Sequence, residues 1–201
     1  MALELPASAA RALLMLGHGA GGGIDAPDLV VVRDAALRAQ IAVARVLQPY
    51  RVAGRRAPAP ARQLDAAWLA VLAALREGAG GFASSARRLR GRPVIAGGRS
   101  SGARVACRTA AAGEVAGVVA LAFPLHPPGR PDRSRAAELS IDVPLVVVQG
   151  SRDAFGRPAE FPDGVGVFEV DGSDHGLKSA AFPAAAARAV AWIRELAASR
   201  A

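Results

Sequence analysis

Short apolar runs alternate along the chain with stretches of helical periodicity. The strand candidates are residues 12–16, Ile41–Val46, 93–96, 117–122, 144–149 and 164–170. Several are unbroken runs of Val, Leu, Ile and Ala, the pattern of strands buried on both faces. Between them, residues 62–77 place Leu64, Trp68, Val71, Leu72 and Leu75 on one stripe, and Gly78 supplies a stop. Residues 101–112 predict an Ala-rich helix ending at Gly113. The last helix is predicted from about Pro183 to Ala198, with Val190, Ile193 and Leu196 facing inward. Residues 28–39 carry two readings. Leu29, Val30, Val31 and Val32 favour a strand by composition, whereas a parallel fold needs a crossover helix there.

This alternation predicts an α/β fold, with a mostly parallel sheet of about six strands and helices on both faces. A chain of 201 residues suits one domain, spanning residues 1–201. There is no internal repeat. Residues 51–61 and the proline-rich 124–131 read as loops, both too short to form a separate lid. In such sheets ligands bind beyond the carboxyl ends of the strands, so the residues just after each strand carry the functional information.

Composition narrows the classes. At 52% hydrophobic and 21% charged, the chain is globular rather than disordered. No apolar run approaches the roughly 18 residues needed to span a bilayer, and the order of small and apolar segments near the start is wrong for a signal peptide. A cytoplasmic protein is the expectation, and the single cysteine, Cys107, fits a reducing compartment as a small core residue. Net charge is +8, which raises nucleic acid as a partner. However, Lys178 is the only lysine among 25 basic residues, and the arginines are dispersed apart from residues 87–92. No aromatic side chains interleave with that cluster, so it reads as a solvated surface. Neither nucleic acid nor membrane is an expected partner, and no cofactor or metal is called for.

The chemistry lies at the strand ends. The 93–96 strand runs into Gly98-Arg99-Ser100-Ser101-Gly102, a G-x-S-x-G pentapeptide, and a helix follows. A nucleophile elbow needs small residues two before and two after the serine, because strand and helix backbones come close there. With Ser101 as nucleophile, Arg99 would occupy the cramped position, so Ser100 is favoured. The pentapeptide alone is weak evidence, and its setting between a strand and a helix strengthens it. Serine needs a base. Of the three histidines, only His126 and His175 follow Ser100, and only His175 leaves room for a complete acid strand before it. The acid should follow the preceding strand, which leads into Gly150-Ser151-Arg152-Asp153, so Asp153 is the orienting carboxylate. Asp174 adjoins His175, but sequence neighbours rarely face each other in a turn.

A tetrahedral intermediate also needs N–H donors. One is the backbone N–H of Ser101. The other belongs to the His18-Gly19-Ala20-Gly21-Gly22-Gly23 turn, with Ala20 the choice and Gly19 or Gly21 the neighbouring registers. His18 reads as a structural residue bonding that loop. The turn lacks both the Walker ending and the G-x-G-x-x-G spacing, so nucleotide binding is discounted. The candidate pocket residues are His18, Gly19, Tyr50, Arg99, Phe123 and His126. His126 lies in a proline-rich loop that reads equally well as a rigid connector.

Five segments occur in order: His18-Gly-Ala-Gly-Gly, Gly98-Arg-Ser-Ser-Gly-Ala-Arg-Val-Ala106, Phe123-Pro-Leu-His-Pro-Pro-Gly129, Gln149-Gly-Ser-Arg-Asp-Ala-Phe-Gly156 and Gly172-Ser-Asp-His-Gly-Leu-Lys178. Together they resemble the small bacterial α/β hydrolases related to the NSL chromatin-complex subunit and testis-expressed proteins, often labelled dienelactone-hydrolase-like. The resemblance covers nearly the whole chain. It implies a capless α/β-hydrolase core beginning at the strand usually numbered third, with Ser100, Asp153 and His175 at the triad positions. The chain departs from the pattern in two places. Ser101 stands where Met or Gly is common, and residues 155–163, with two prolines, leave little room for the usual helix before the last strand.

The leading functional reading is a serine hydrolase acting on a small-molecule ester, thioester or related acyl bond. The alternatives are a non-catalytic binding or scaffold module on the same fold and, on charge alone, a nucleic-acid-associated protein. The sequence names neither the substrate nor the oligomeric state.

Overall fold

The computed structural model describes residues 1–79 and 81–200. Its strands are β1 (Ala2–Glu4), β2 (Ala12–Gly17), β3 (Ile41–Val46), β4 (Val94–Arg99), β5 (Gly117–Leu121), β6 (Leu145–Gly150) and β7 (Gly166–Val170). Its helices are α1 (Pro27–Arg38), α2 (Pro49–Val52), α3 (Ala61–Glu77), α4 (Ala83–Leu89), α5 (Ser101–Arg108) and α6 (Phe182–Ala198). The strands form one seven-stranded sheet in the order β1-β3-β2-β4-β5-β6-β7. All neighbours are parallel except β1, which runs antiparallel to β3.

Alternate side chains on each strand feed opposite faces. Leu13 and Met15 of β2 join a core with Leu64, Trp68 and Leu72 of α3 and Val105 of α5. Leu14 and Leu16 join the other core, with Leu29 and Val32 of α1 and Ile193 of α6. The sheet is therefore sandwiched between two helical layers, which explains why its inner strands are continuously apolar.

The ambiguity over residues 28–39 resolves as helix. Leu29, Val32 and Ala36 are buried at the spacing of one helical face, and Pro27 sits at the favoured first position. The β-branched residues favour a strand locally, but joining the parallel strands β2 and β3 requires a crossover, and that requirement wins. The helix predicted at 101–112 ends earlier, at Arg108, in turns through residue 114. Leu196 is half-buried rather than fully inward.

The strand count is seven rather than about six. The extra strand, β1, precedes the one expected to begin the core. It is three residues long, too short for a periodic signal, and is held by charge as well as by backbone pairing. Arg45 of β3, 4% exposed, meets Glu4 of β1 at 3.1 Å and Asp25 at 2.8 Å. Helix α4 was also not expected. Arg87, Arg88, Arg90 and Arg92 around its end are all exposed, at the amino-terminal end of β4 and so opposite the end that carries Ser100. Between β6 and β7, where the sequence leaves little room for the helix usual in the resembled pattern, the chain forms one 3-10 turn, Pro158–Glu160.

Candidate active site

Ser100 lies at the turn from β4 into α5, with φ 52° and ψ −109°. A positive φ is a strained conformation for a non-glycine residue, costing on the order of 1–3 kcal/mol. Two bonds hold the turn: Ser100 N–H donates to the Leu121 carbonyl at 2.9 Å, and the Ser100 carbonyl accepts from Arg104 N–H at 3.1 Å. The glycine requirement is steric. A Cβ on Gly98 would stand 2.6 Å from the Gly17 carbonyl oxygen, and one on Gly102 would run into the Gly17 backbone. The elbow thus presses against the end of β2, where the glycine-rich loop begins.

The structure brings Ser100, His175 and Asp153 together. Ser100 Oγ lies 3.0 Å from His175 Nε2, and His175 Nδ1 lies 2.8 Å from Asp153 Oδ2. With Nδ1–H donating to the carboxylate, Nε2 is left to accept the hydroxyl proton of Ser100. Asp153 is 1% exposed and firmly anchored. Its Oδ1 accepts the Phe155 N–H at 2.8 Å, and its Oδ2 accepts from Gln149 Nε2 at 2.9 Å. The same Gln149 amide donates to the Gly156 carbonyl at 2.7 Å, tying the acid loop to β6.

The loop carrying His175 is fastened from several directions. Arg152 N–H donates to the Ser173 carbonyl at 2.9 Å, and Arg152 Nη2 donates to the Gly172 carbonyl. A Cβ on Gly150 would stand 2.5 Å from the Ser173 carbonyl oxygen, so only glycine lets β6 and this loop meet. Asp174 turns back on its own loop, its Oδ1 accepting from Gly176 N–H at 2.8 Å. Phe155 covers the imidazole, with ring centroids 4.2 Å apart and planes inclined by 31°.

Arg99 behaves differently from a pocket residue. Its Nη2 donates to the His175 carbonyl at 2.8 Å, and its Nε lies 3.4 Å from Asp28 Oδ2 at the start of α1. Burial pushes the Asp28 carboxyl above its ordinary pKa, with the Arg99 charge opposing that rise. Gly19 makes room for this side chain, since a Cβ there would meet Arg99 Nη1 at 2.9 Å.

A cavity of about 260 Å³ opens over Ser100, lined in part by Ala20, Ser101, Leu64, Pro124 and Phe155. Ser101 N–H is at the first position of α5, where no intrahelical carbonyl can accept it. Ala20 lines the same cavity from the loop after β2, so both residues expected to supply N–H donors border the space over Ser100.

Other candidates lie elsewhere. His18 is fully buried; its Nδ1 bonds the Gly19 carbonyl at 2.8 Å, and its Nε2 accepts the Gln48 N–H at 3.0 Å. This fixes a neutral tautomer, and burial lowers its pKa. Tyr50 is also fully buried, edge-on to His18 with centroids 6.1 Å apart, and does not line the cavity. Phe123 is buried against Phe161 rather than open to the site. His126 is a connector: its ring nitrogens bond the Pro127 carbonyl and the Glu160 carboxylate, each at 2.9 Å. All four sit near strand ends, as expected, but the chain turns their side chains into the protein. The sequence reading missed Phe155 and Gln149, and among the cavity-lining residues it missed Ala61 and Leu64 of α3 and Arg104 and Arg108 of α5. Phe155 carried a faint signal, because a backbone N–H two residues after an Asp commonly bonds back to its side chain.

A family profile described as alpha/beta hydrolase domain matches residues 10–190. Among solved structures, the chain is similar to an alpha-beta serine hydrolase homologue from Coxiella burnetii, with 15% identity, TM-score 0.69, and 98% of this chain and 88% of that one covered. It is also similar to a serine hydrolase without a lid from Xanthomonas campestris (18%, TM-score 0.67, 98% and 85% covered). A dienelactone hydrolase from Anabaena variabilis gives 18% identity and TM-score 0.69, with 96% and 89% covered. At these identities the likeness establishes the fold. No curated protein matches the chain.

Proposed function

The chain belongs to the alpha/beta hydrolase family, and from that premise we propose that it is a serine hydrolase of a small ester, thioester or related acyl bond, working through Ser100, His175 and Asp153. The observation that carries this reading is the unbroken relay, 3.0 Å from Ser100 Oγ to His175 Nε2 and 2.8 Å from His175 Nδ1 to Asp153 Oδ2. Ser100 Oγ attacks the acyl carbon as His175 takes its proton. The tetrahedral oxyanion rests on the N–H groups of Ser101 and Ala20. His175 then hands the proton to the leaving group, and a water activated by the same imidazole releases the acyl group and frees Ser100. Asp153 holds the imidazole tautomer and stabilises the imidazolium.

The ordered motifs resemble those of the group related to the NSL chromatin-complex subunit and testis-expressed proteins, which supports assigning the chain to that group, and its single buried cysteine suits a cytoplasmic enzyme. A fluorophosphonate probe is expected to label Ser100. Hydrolysis of p-nitrophenyl acetate is expected to fall at least about a thousandfold in Ser100→Ala with the fold intact. A folded wild type that resists the probe and hydrolyses no short ester would instead be a binding module on this fold.

A further inference from the structure

The cavity over Ser100 holds more positive than negative charge. Arg104, Arg108 and Arg135 all line it. The first two are matched: Arg104 donates to Glu138 at 2.9 and 2.5 Å, and Arg108 grips Asp65 at 2.9 and 2.6 Å while reaching Glu138 at 3.4 Å. Arg135 is not matched. Among the described residues its guanidinium makes one hydrogen bond, Nη1 to the Pro124 carbonyl at 2.8 Å, and no ion pair. Three guanidiniums therefore stand beside two carboxylates, both engaged by Arg104 and Arg108. Burial, and then the neighbouring Arg104, press the Arg135 pKa below the usual guanidinium range, with Glu138 opposing only in part.

A half-buried cation beside other cations costs free energy unless an anion joins it. Arg135 keeps four of its five N–H donors in a rigid fork that matches a carboxylate. The cavity, about 260 Å³, lies just below the usual range for ligand pockets, roughly 300–1,000 Å³. Ser100 and Arg135 line the same cavity, so a charged group held there shares one space with the reacting carbonyl. Resting on the serine-hydrolase reading, we infer that the substrate is a small ester or thioester that carries its own carboxylate, which Arg135 holds while Ser100 attacks the acyl carbon.

The test compares kcat/KM for matched esters in two arms. On the acyl side, the p-nitrophenyl monoester of adipic acid is set against p-nitrophenyl hexanoate. On the leaving-group side, 4-(carboxymethyl)phenyl acetate is set against 4-methylphenyl acetate. The arm with the higher anionic-to-neutral ratio identifies which half of the substrate bears the carboxylate. The wild type is expected to favour the anionic ester about tenfold or more in one arm, less so as salt is raised. In Arg135→Gln, which keeps a donor for the Pro124 carbonyl and loses the charge, the ratio should fall to within about threefold of unity. Arg133→Gln, which removes an exposed cation two residues away, should leave the ratio unchanged. Because a disturbed loop would slow both esters together, the ratio isolates the charge. A wild-type ratio of one or below in both arms overturns the inference, as does a high ratio that survives Arg135→Gln. Ser100-dependent hydrolysis of the neutral esters with no anionic preference would defeat the inference and leave the hydrolase reading standing. If no ester is cleaved, that reading fails and the substrate claim with it, and calorimetry with monomethyl adipate decides the remaining part, that Arg135 holds a carboxylate in this cavity. Saturable, salt-sensitive binding lost in Arg135→Gln supports it, and no binding overturns it.

Discussion

Arg99 stands one position before the proposed nucleophile, yet its guanidinium turns away from the reacting bond and holds the His175 carbonyl. Its Nε faces the Asp28 carboxylate at 3.4 Å without hydrogen-bond geometry, so the charge pair anchors the arginine only loosely. A positioning role predicts a split between rate and stability. Arg99→Ala should lower kcat by about ten- to a hundredfold with little change in KM, as the imidazole drifts from Ser100. It should also destabilise the fold, since Asp28, 7% exposed, is left without a counter-charge. Adding Asp28→Asn should restore thermal stability without restoring kcat, and Arg99→Lys should recover part of the rate. Equal recovery of both quantities in the double variant would reduce Arg99 to an ordinary structural residue. At this scale Ser100, His175 and Asp153 were legible because elbow chemistry and strand order leave few choices. Arg99's direction and Phe155's ring were not, because each acts on the distant loop of His175, and Gln149's amide was not, because a glutamine at a strand end carries no motif of its own.

At the scale of elements, local pattern and topology competed, and topology prevailed in α1. The strands β2 to β7 follow their predicted runs closely, and in β2 to β6 burial on both faces leaves a continuous signal. Strand β1 and helix α4 escaped because three and seven residues are too few to carry a period. The loop after β5 and the 3-10 turn Pro158–Glu160 are joined by His126 and Glu160, at 2.9 Å. The Pro127 carbonyl, followed by the Glu160 carboxylate, raises the His126 pKa. The Arg157 backbone N–H and His126 in turn lower that of Glu160. The signs follow by linkage. The His126 contribution is full below its ordinary value of 6.5 and disappears as pH rises through the raised one. The Glu160 contribution is full above its ordinary value of 4.5 and disappears as pH falls through the lowered one. The melting-temperature gap between wild type and Glu160→Gln should therefore be widest between those two ordinary values and close on the alkaline side. A gap that widens toward alkaline pH would mean that the two side chains do not interact as an ion pair in solution.

Over the whole molecule, charge is divided between the two ends of the sheet. The exposed arginines around α4 lie at the amino-terminal end of β4, while the matched and unmatched arginines of α5 and the loop after β5 surround Ser100. The net charge of +8 therefore says little about partners until it is placed in space. Asp153 and His175 follow β6 and β7, the last two strands added to the sheet along the chain. Ser100 and His175 are 75 residues apart in sequence, so their contact closes a long loop. Non-local closures of this kind form late, because the chain entropy they cost is recovered only when the intervening strands are paired. During refolding from denaturant, fluorophosphonate labelling should lag behind the return of helical circular dichroism, and simultaneous recovery would contradict this order. The position of β7 makes the proposed reaction a reporter of complete folding: a nascent chain truncated before that strand can present the serine elbow, but it lacks His175, the proposed base.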